Sequence, residues 1–230
     1  APARLASGIV PSREEAGTGG AGKMEDDALA RDVALLRNAL LVMLGAGRNG
    51  PNQNPKQRLL AAEWLHSFRK KDETWGACLA VVSAPTGHLT GQVSPEEQLF
   101  ASQALLYKCR RRQQAITGAD VQTLCQLALR FAVPGMRPVL TQLCLGICAC
   151  AIRHVDWEVS SVLPDLLRFC EEAAAHAAPG DPGPRLLMLE LLTVLPEEAE
   201  LKYGITVTPQ RRASFLAALR EGPGGGSLAV

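Results

Sequence analysis

The chain has 230 residues, is 47% hydrophobic but only 4% aromatic, and carries a formal net charge of +1. That apolar fraction supports an extensive core of Leu, Ala, Val and Cys, a composition that favours close helix packing over a β-sandwich. The near-neutral balance excludes the global basic field of a nucleic-acid binder and the acidic block of a charged tail.

Residues 1–23 are rich in Ala, Gly and Ser and show no helical period. They are expected to form a disordered N-terminal segment, with Met24-Glu25 as a natural beginning. Glu14 and Glu15 argue against a transit peptide. The first helix is expected over about Glu25 to Leu44, where Leu29, Val33, Leu36, Leu40 and Met43 share one face. Gly45 ends it. Asn54 then offers an N-cap, with Pro55 at the first helical position, where a missing N–H costs nothing. The second helix holds Leu59, Leu60, Ala62, Trp64, Leu65 and Phe68 and ends in Arg69, Lys70 and Lys71, cations that suit the negative end of the dipole.

Asp72 is expected to cap the next helix, which carries Trp75, Cys78, Leu79 and Val82. Ser94-Pro95-Glu96-Glu97 reads as a capping box, Ser94 accepting from the Glu97 amide while the Glu97 side chain reaches back. The helix it opens is apolar around most of its circumference, as a helix covered on several sides must be. A third pair is expected over Thr117 to Ala132 and Pro138 to Val155, broken at Pro134-Gly135. Gly146, inside its second member, costs helix propensity and predicts the close approach of a neighbouring helix. A fourth pair spans Ser161 to Ala177 and Pro184 to Leu195, and a fifth helix starts at Thr208-Pro209.

The expected pair starts at Asp26, Asp72, Thr117, Ser161 and Thr208 are separated by 46, 45, 44 and 47 residues. A period in this range predicts HEAT-type repeats, in which each helix pair leaves an apolar face for the next to cover. The expected fold is all-α, a right-handed superhelical stack of antiparallel helix pairs, about four and a half repeats over residues 24–221. Residues 222–230 read as a disordered tail or a truncation point. The fifth helix has no following partner in the sequence, so the chain is expected to be a fragment of a longer protein.

Little in the chain suggests catalysis. Gly45-Ala-Gly47-Arg-Asn-Gly50 spells a dinucleotide fingerprint, but a helix precedes it where the mechanism needs a strand. Gly17 to Lys23 nearly spells a phosphate loop, with Met24 where Ser or Thr must hold magnesium. Cys144 and Cys148 share one helix face, and Cys150 and His154 another, roughly 120° away at 100° per residue. One tetrahedral ion does not reach both faces, so no metal is expected. The seven cysteines sit mostly in apolar helical patterns and read as small buried hydrophobes of a reducing compartment. His66, His88, His154 and His176 read as solvated or capping side chains; Glu171-Glu172 and Glu197-Glu198 read as solvated helix edges. The run Lys108, Arg110, Arg111, Arg112 answers a helix dipole or meets an acidic partner. No cofactor, enzyme activity or membrane span is expected; the longest nearly charge-free run, Val139 to Ile152, is too short to cross a bilayer.

Several segments resemble the importin-β superfamily of nuclear transport receptors. Ala62-Glu-Trp-Leu-His-Ser-Phe68 resembles its first inner helix, and Phe100-Ala-Ser-Gln-Ala-Leu-Leu-Tyr-Lys108 its second. Thr141-Gln-Leu-Cys-Leu145 resembles the third repeat. Leu191-Leu-Thr-Val-Leu-Pro-Glu-Glu198 and the pair Arg211-Arg212 are similar to the transportin-SR and importin-13-like branch. The resemblance runs from about Glu25 to Leu219. It implies the N-terminal part of a receptor that binds the small GTPase Ran in its GTP form and carries protein cargo, Ser/Arg-rich splicing factors by branch. It further implies contact with nucleoporins, shuttling between cytoplasm and nucleus, and no direct contact with nucleic acid. By position, Gln103 and Lys108 match the family's Ran-contacting glutamine and second lysine, with Arg111 and Arg112 as neighbours; Leu106 replaces the first family lysine. The alternative is a HEAT-type scaffold that binds another protein and has no part in transport.

Overall fold

The computed structural model describes residues 21–44, 54–87, 92–111, 116–153, 157–200 and 207–221. Among them lie nine α-helices: α1 (Ala21–Leu44), α2 (Pro55–Lys70), α3 (Trp75–Ser83), α4 (Pro95–Arg111), α5 (Gly118–Arg130), α6 (Arg137–Arg153), α7 (Val159–His176), α8 (Gly183–Glu200) and α9 (Pro209–Glu221). No strand occurs among the described residues; an isolated bridge joins Thr86 to Val93. The fold is all-α and built of packed helix pairs of HEAT type. The second helices of the pairs begin at Pro55, Pro95, Arg137 and Gly183, 40, 42 and 46 residues apart.

The capping signals work as the sequence predicts. Asn54 accepts from the Lys56 amide, with Pro55 in the first turn. Ser94 and Glu97 exchange both bonds of a capping box, at 3.2 and 2.7 Å. Thr117 and Asp120 form a second box at the start of α5. Several boundaries differ from expectation by a residue or two, α7 starting at Val159 and α5 ending at Arg130, and three differ in a way that matters. Helix α1 begins at Ala21, so 21–23 are helical where disorder was expected; residues 1–20 and 222–230 lie outside the described residues. Asp72 does not cap α3. It opens a 3-10 turn, Asp72–Thr74, because the Thr74 hydroxyl donates back to the carbonyls of Phe68 and Lys71 and tightens the chain there. Helix α8 continues past Pro196 to Glu200. A proline in mid-helix removes one hydrogen bond, but the turn beyond it buries Glu198 and Ala199 completely, and that burial sustains the helix.

The residues group into two units, divided at Leu105 and Leu106 within α4. In the first, α1 packs on α2 and α3. Its core includes Leu36, Leu65, Phe68, Cys78, Val82 and Leu105, with Trp64 stacked on Phe68 at 5.0 Å. Gln98 is fully buried and bonds the carbonyls of Val82 and Ala84 while accepting from Thr86. In the second unit α5 packs on α6, α7 on α8, and α6 on α8; α9 lies against α7 and α8. Leu124, Leu143, Ile147, Leu187, Leu195 and Phe215 form its core. Gly146 of α6 faces the end of α4: a Cβ there would stand 3.4 Å from Cys109 Sγ. The close approach predicted from this glycine is present.

Candidate protein-binding site

The basic run on α4 does not form one surface. Lys108 is 1% exposed and is among the largest fully buried side chains of the described residues. Arg110 turns inward to Glu198 of α8, bonding it twice, Nε to Oε1 at 2.7 Å and Nη2 to Oε2 at 2.6 Å. Glu198, expected to be solvated, is 0% exposed. A buried carboxylate is tolerated only with such a partner. Arg111 is exposed, its guanidinium 5.2 Å from the centre of the Tyr107 ring. Arg112 lies outside the described residues. Gln103 is exposed. Along α4, Gln103, Tyr107 and Arg111 follow one another at intervals of four, so one helix face carries an amide, a half-buried phenol and a guanidinium. Such groups suit the polar rim of a protein contact, where Tyr and Arg are favoured and charge sets the encounter.

A second exposed feature is apolar. Leu186, Leu189 and Leu192 of α8 stand at intervals of three, with Leu189 58% exposed. Beside them an apolar cleft between α7 and α8 is lined by Leu163, Leu167, Cys170 and Met188.

Several arginines missed as functional groups finish helices. The last carbonyls of a helix have no partner within it. Arg58 donates to Met43 O at the end of α1, at 3.1 Å. Arg153 donates to Cys109 O near the end of α4, at 2.6 Å. Arg211 holds the end of α6, donating to Ile152 O at 2.6 Å, to Ala151 O at 3.2 Å and to Trp157 O at 2.9 Å. Arg212 donates to Ala199 O of α8 at 3.3 Å. The paired arginines of the resemblance are thus helix caps. Their only sequence signal was the position of the pair at the start of α9.

The cysteines are packing groups. All seven are buried and none is in a disulfide. Burial pushes the Cys125 thiol up to about 12, with Cys170 adding to it. Burial, then the charge of Glu171, lifts Cys170 to about 11. Cys144 and Cys148 rise well above the ordinary range for the same first reason. Among the described residues no group of His, Cys, Asp or Glu is arranged to hold a metal ion. His154 and the glycine pattern at Gly45 to Gly50 lie outside the described residues, as does most of Gly17 to Lys23. His66 is exposed, and His176 contacts the Glu172 carbonyl through Nδ1 at 2.7 Å; His88 lies outside the described residues. Among the described residues no helix is long and apolar enough to cross a membrane.

No known family profile matches the chain. It is 30% identical to importin-13 of Bos taurus over 173 residues, 71% of this chain and 16% of that protein. It is 28% identical to an uncharacterized protein of Schizosaccharomyces pombe over 152 residues, 64% of this chain and 14% of that one. The chain therefore spans a small part of the length of these relatives, and over most of its own length it is similar to an importin.

Proposed function

We propose that the chain is the N-terminal HEAT-repeat part of a nuclear transport receptor of the importin-β superfamily, in its transportin-SR and importin-13-like branch. On this reading it binds Ran-GTP through α4 and carries protein cargo, Ser/Arg-rich splicing factors by branch. It contacts nucleoporins, moves between cytoplasm and nucleus, catalyses no reaction and needs no cofactor. The observation that supports this reading most is the 30% identity to importin-13 over 173 residues, together with a fold of packed helix pairs. Of the residues proposed for Ran, Gln103 and Arg111 are exposed and Lys108 is buried, which supports Gln103 and Arg111 as the main contacts; Arg112 lies outside the described residues. A stack of helix pairs, each touching its neighbours, adjusts its pitch at small cost and so suits a grip on a folded partner.

The test is retention of Ran by the immobilised chain. Ran loaded with GTP is expected to stay and Ran loaded with GDP to wash through; equal retention of both rejects the reading. Replacing Gln103 by Ala and Arg111 by Glu together is expected to weaken the complex about tenfold and to flatten its salt dependence. The burial of Lys108 favours the alternative, a HEAT-type scaffold outside transport, because it withdraws the second family lysine where Leu106 already replaces the first.

A further inference from the structure

Of the 15 prolines, Pro95 and Pro209 are the two that follow a Ser or a Thr. Their settings differ. Ser94 is half-buried, and both its hydroxyl and its amide are tied to Glu97, which stands three positions on. Thr208 is exposed, and the residue three positions on is Arg211. Thr208 sits at the start of α9, where its Oγ1 accepts from the Arg211 amide at 3.3 Å. No side chain between Pro209 and Ser214 is buried; burial in α9 begins at Phe215. Besides its own backbone bonds, the first turn of α9 is held by one long capping bond, by the Arg211 guanidinium on the carbonyls of Ala151, Ile152 and Trp157, and by the Arg212 guanidinium on Ala199 O. Few buried contacts mean a low cost of local opening.

A protein kinase takes an exposed hydroxyl on a segment that can be drawn out. A proline directly after the acceptor suits a kinase pocket with no partner for an amide proton, and a basic residue at the third position suits an anion beside it. Thr208-Pro209-Gln210-Arg211 meets each condition. We propose that Thr208 is a phosphorylation site for a proline-directed kinase that also selects a basic residue three positions on, and that the new phosphate draws the Arg211 guanidinium from the end of α6. In the transfer, Thr208 Oγ1 attacks the γ-phosphorus of ATP, its proton passes to the kinase's base, and ADP leaves. The product places about two negative charges at a helix N-terminus, which favours anions, beside Arg211 and Arg212. A guanidinium–phosphate bond is stronger than a guanidinium–carbonyl bond, so the fork turns to the phosphate. The end of α6 loses its donors while the start of α9 gains an anion. This inference is independent of the transport reading.

The test is incubation of the full chain with a purified cyclin-dependent kinase, its cyclin and Mg-ATP, with the phosphate located by tandem mass spectrometry. Close to one phosphate per chain is expected, on Thr208, with Ser94 unlabelled. Thr208→Ser keeps the acceptor and the cap, and is expected to be labelled. Pro209→Ala keeps a good helix former at the first helical position, and is expected to slow labelling at least tenfold. No label at Thr208, or labelling of Pro209→Ala at the natural rate, overturns the site. In the phosphorylated chain, amide exchange is expected to quicken in the last turn of α6 and to slow in the first turn of α9. Unchanged exchange in both overturns the transfer of Arg211.

Discussion

At the scale of single residues, the buried ion pair between Arg110 and Glu198 is the feature the sequence hid. Glu197 and Glu198 are neighbours of the same chemistry, yet Glu197 is exposed and Glu198 has no exposed surface. The helical phase of α8 through Pro196 separates them, and a proline read as the end of the helix conceals that phase. Removing one partner of a buried pair leaves the other charged and unsatisfied, so Arg110→Ala is expected to cost about 3 kcal/mol in denaturant unfolding. The figure lies at the lower end of the usual range because the Arg110 side chain is 26% exposed. Arg110→Met combined with Glu198→Leu is expected to recover most of that loss. A double variant as unstable as the single one contradicts the assignment. Five of the cysteines carry a pH dependence with a definite sign. The folded thiols of Cys125, Cys144, Cys148, Cys150 and Cys170 hold protons to higher pH than the ordinary 9.0, Cys170 to about 11 and Cys125 to about 12. Between those limits the folded state binds more protons than the unfolded one, so this stability is complete below about pH 9 and is lost as pH rises through 11 and 12. Thermal midpoints are expected to hold steady to the ordinary thiol range and to fall above it. Thiolate absorbance at pH 9.5 with the helical signal intact would contradict the burial of these groups.

At the scale of elements, helix ends divide into two kinds. Two N-termini were legible because their caps are local, Asn54 with Pro55 and Ser94 with Glu97; the Thr117–Asp120 box is as local but was not predicted, and Asp72, predicted as a cap, does not make one. The C-termini were not. The donor for the end of α4 comes from Arg153, 44 residues later, and the donor for the end of α6 from Arg211, 59 residues later. Nothing in a helical period marks such a partner. Arg211→Met is expected to destabilise the chain by about 2 kcal/mol, since charged hydrogen bonds to carbonyls are each worth roughly 1.5–3 kcal/mol when made and the site is partly solvated. Arg211→Lys keeps the charge without the fork and is expected to recover less than half. Equal stability of all three chains in urea would show that the cap carries no weight. That a neighbouring helix comes close to α6 was legible from Gly146, but not that the neighbour is α4. An added Cβ meets Cys109 Sγ at 3.4 Å, ordinary contact, so Gly146→Ala is expected to be neutral or to gain up to about 1 kcal/mol of helix propensity. Gly146→Leu is expected to cost roughly 1–3 kcal/mol by overpacking. A tolerated leucine would mean that the two helices do not meet there.

At the scale of the whole molecule, the fold was readable from the beat of the sequence because each repeat buries its own periodic face. The segments that carry the family resemblance are mostly packing residues: Leu65 and Phe68 in α2, Ala101, Ala104 and Leu105 in α4, Leu191, Val194 and Leu195 in α8 are all buried. The resemblance therefore speaks first of architecture. The candidate site was only half legible, because a run of four cations says nothing of which way each one points. In α4 the helical phase sends Lys108 inward and Arg110 to Glu198, and leaves Gln103 and Arg111 in solvent. The transport reading depends on that remaining face, and hydrogen–deuterium exchange tests it most directly. With Ran bound to a non-hydrolysable GTP analogue, peptides covering α4 are expected to be protected, and with GDP-bound Ran they are expected to exchange as in the free chain. Protection by both forms, or by neither, would contradict the account.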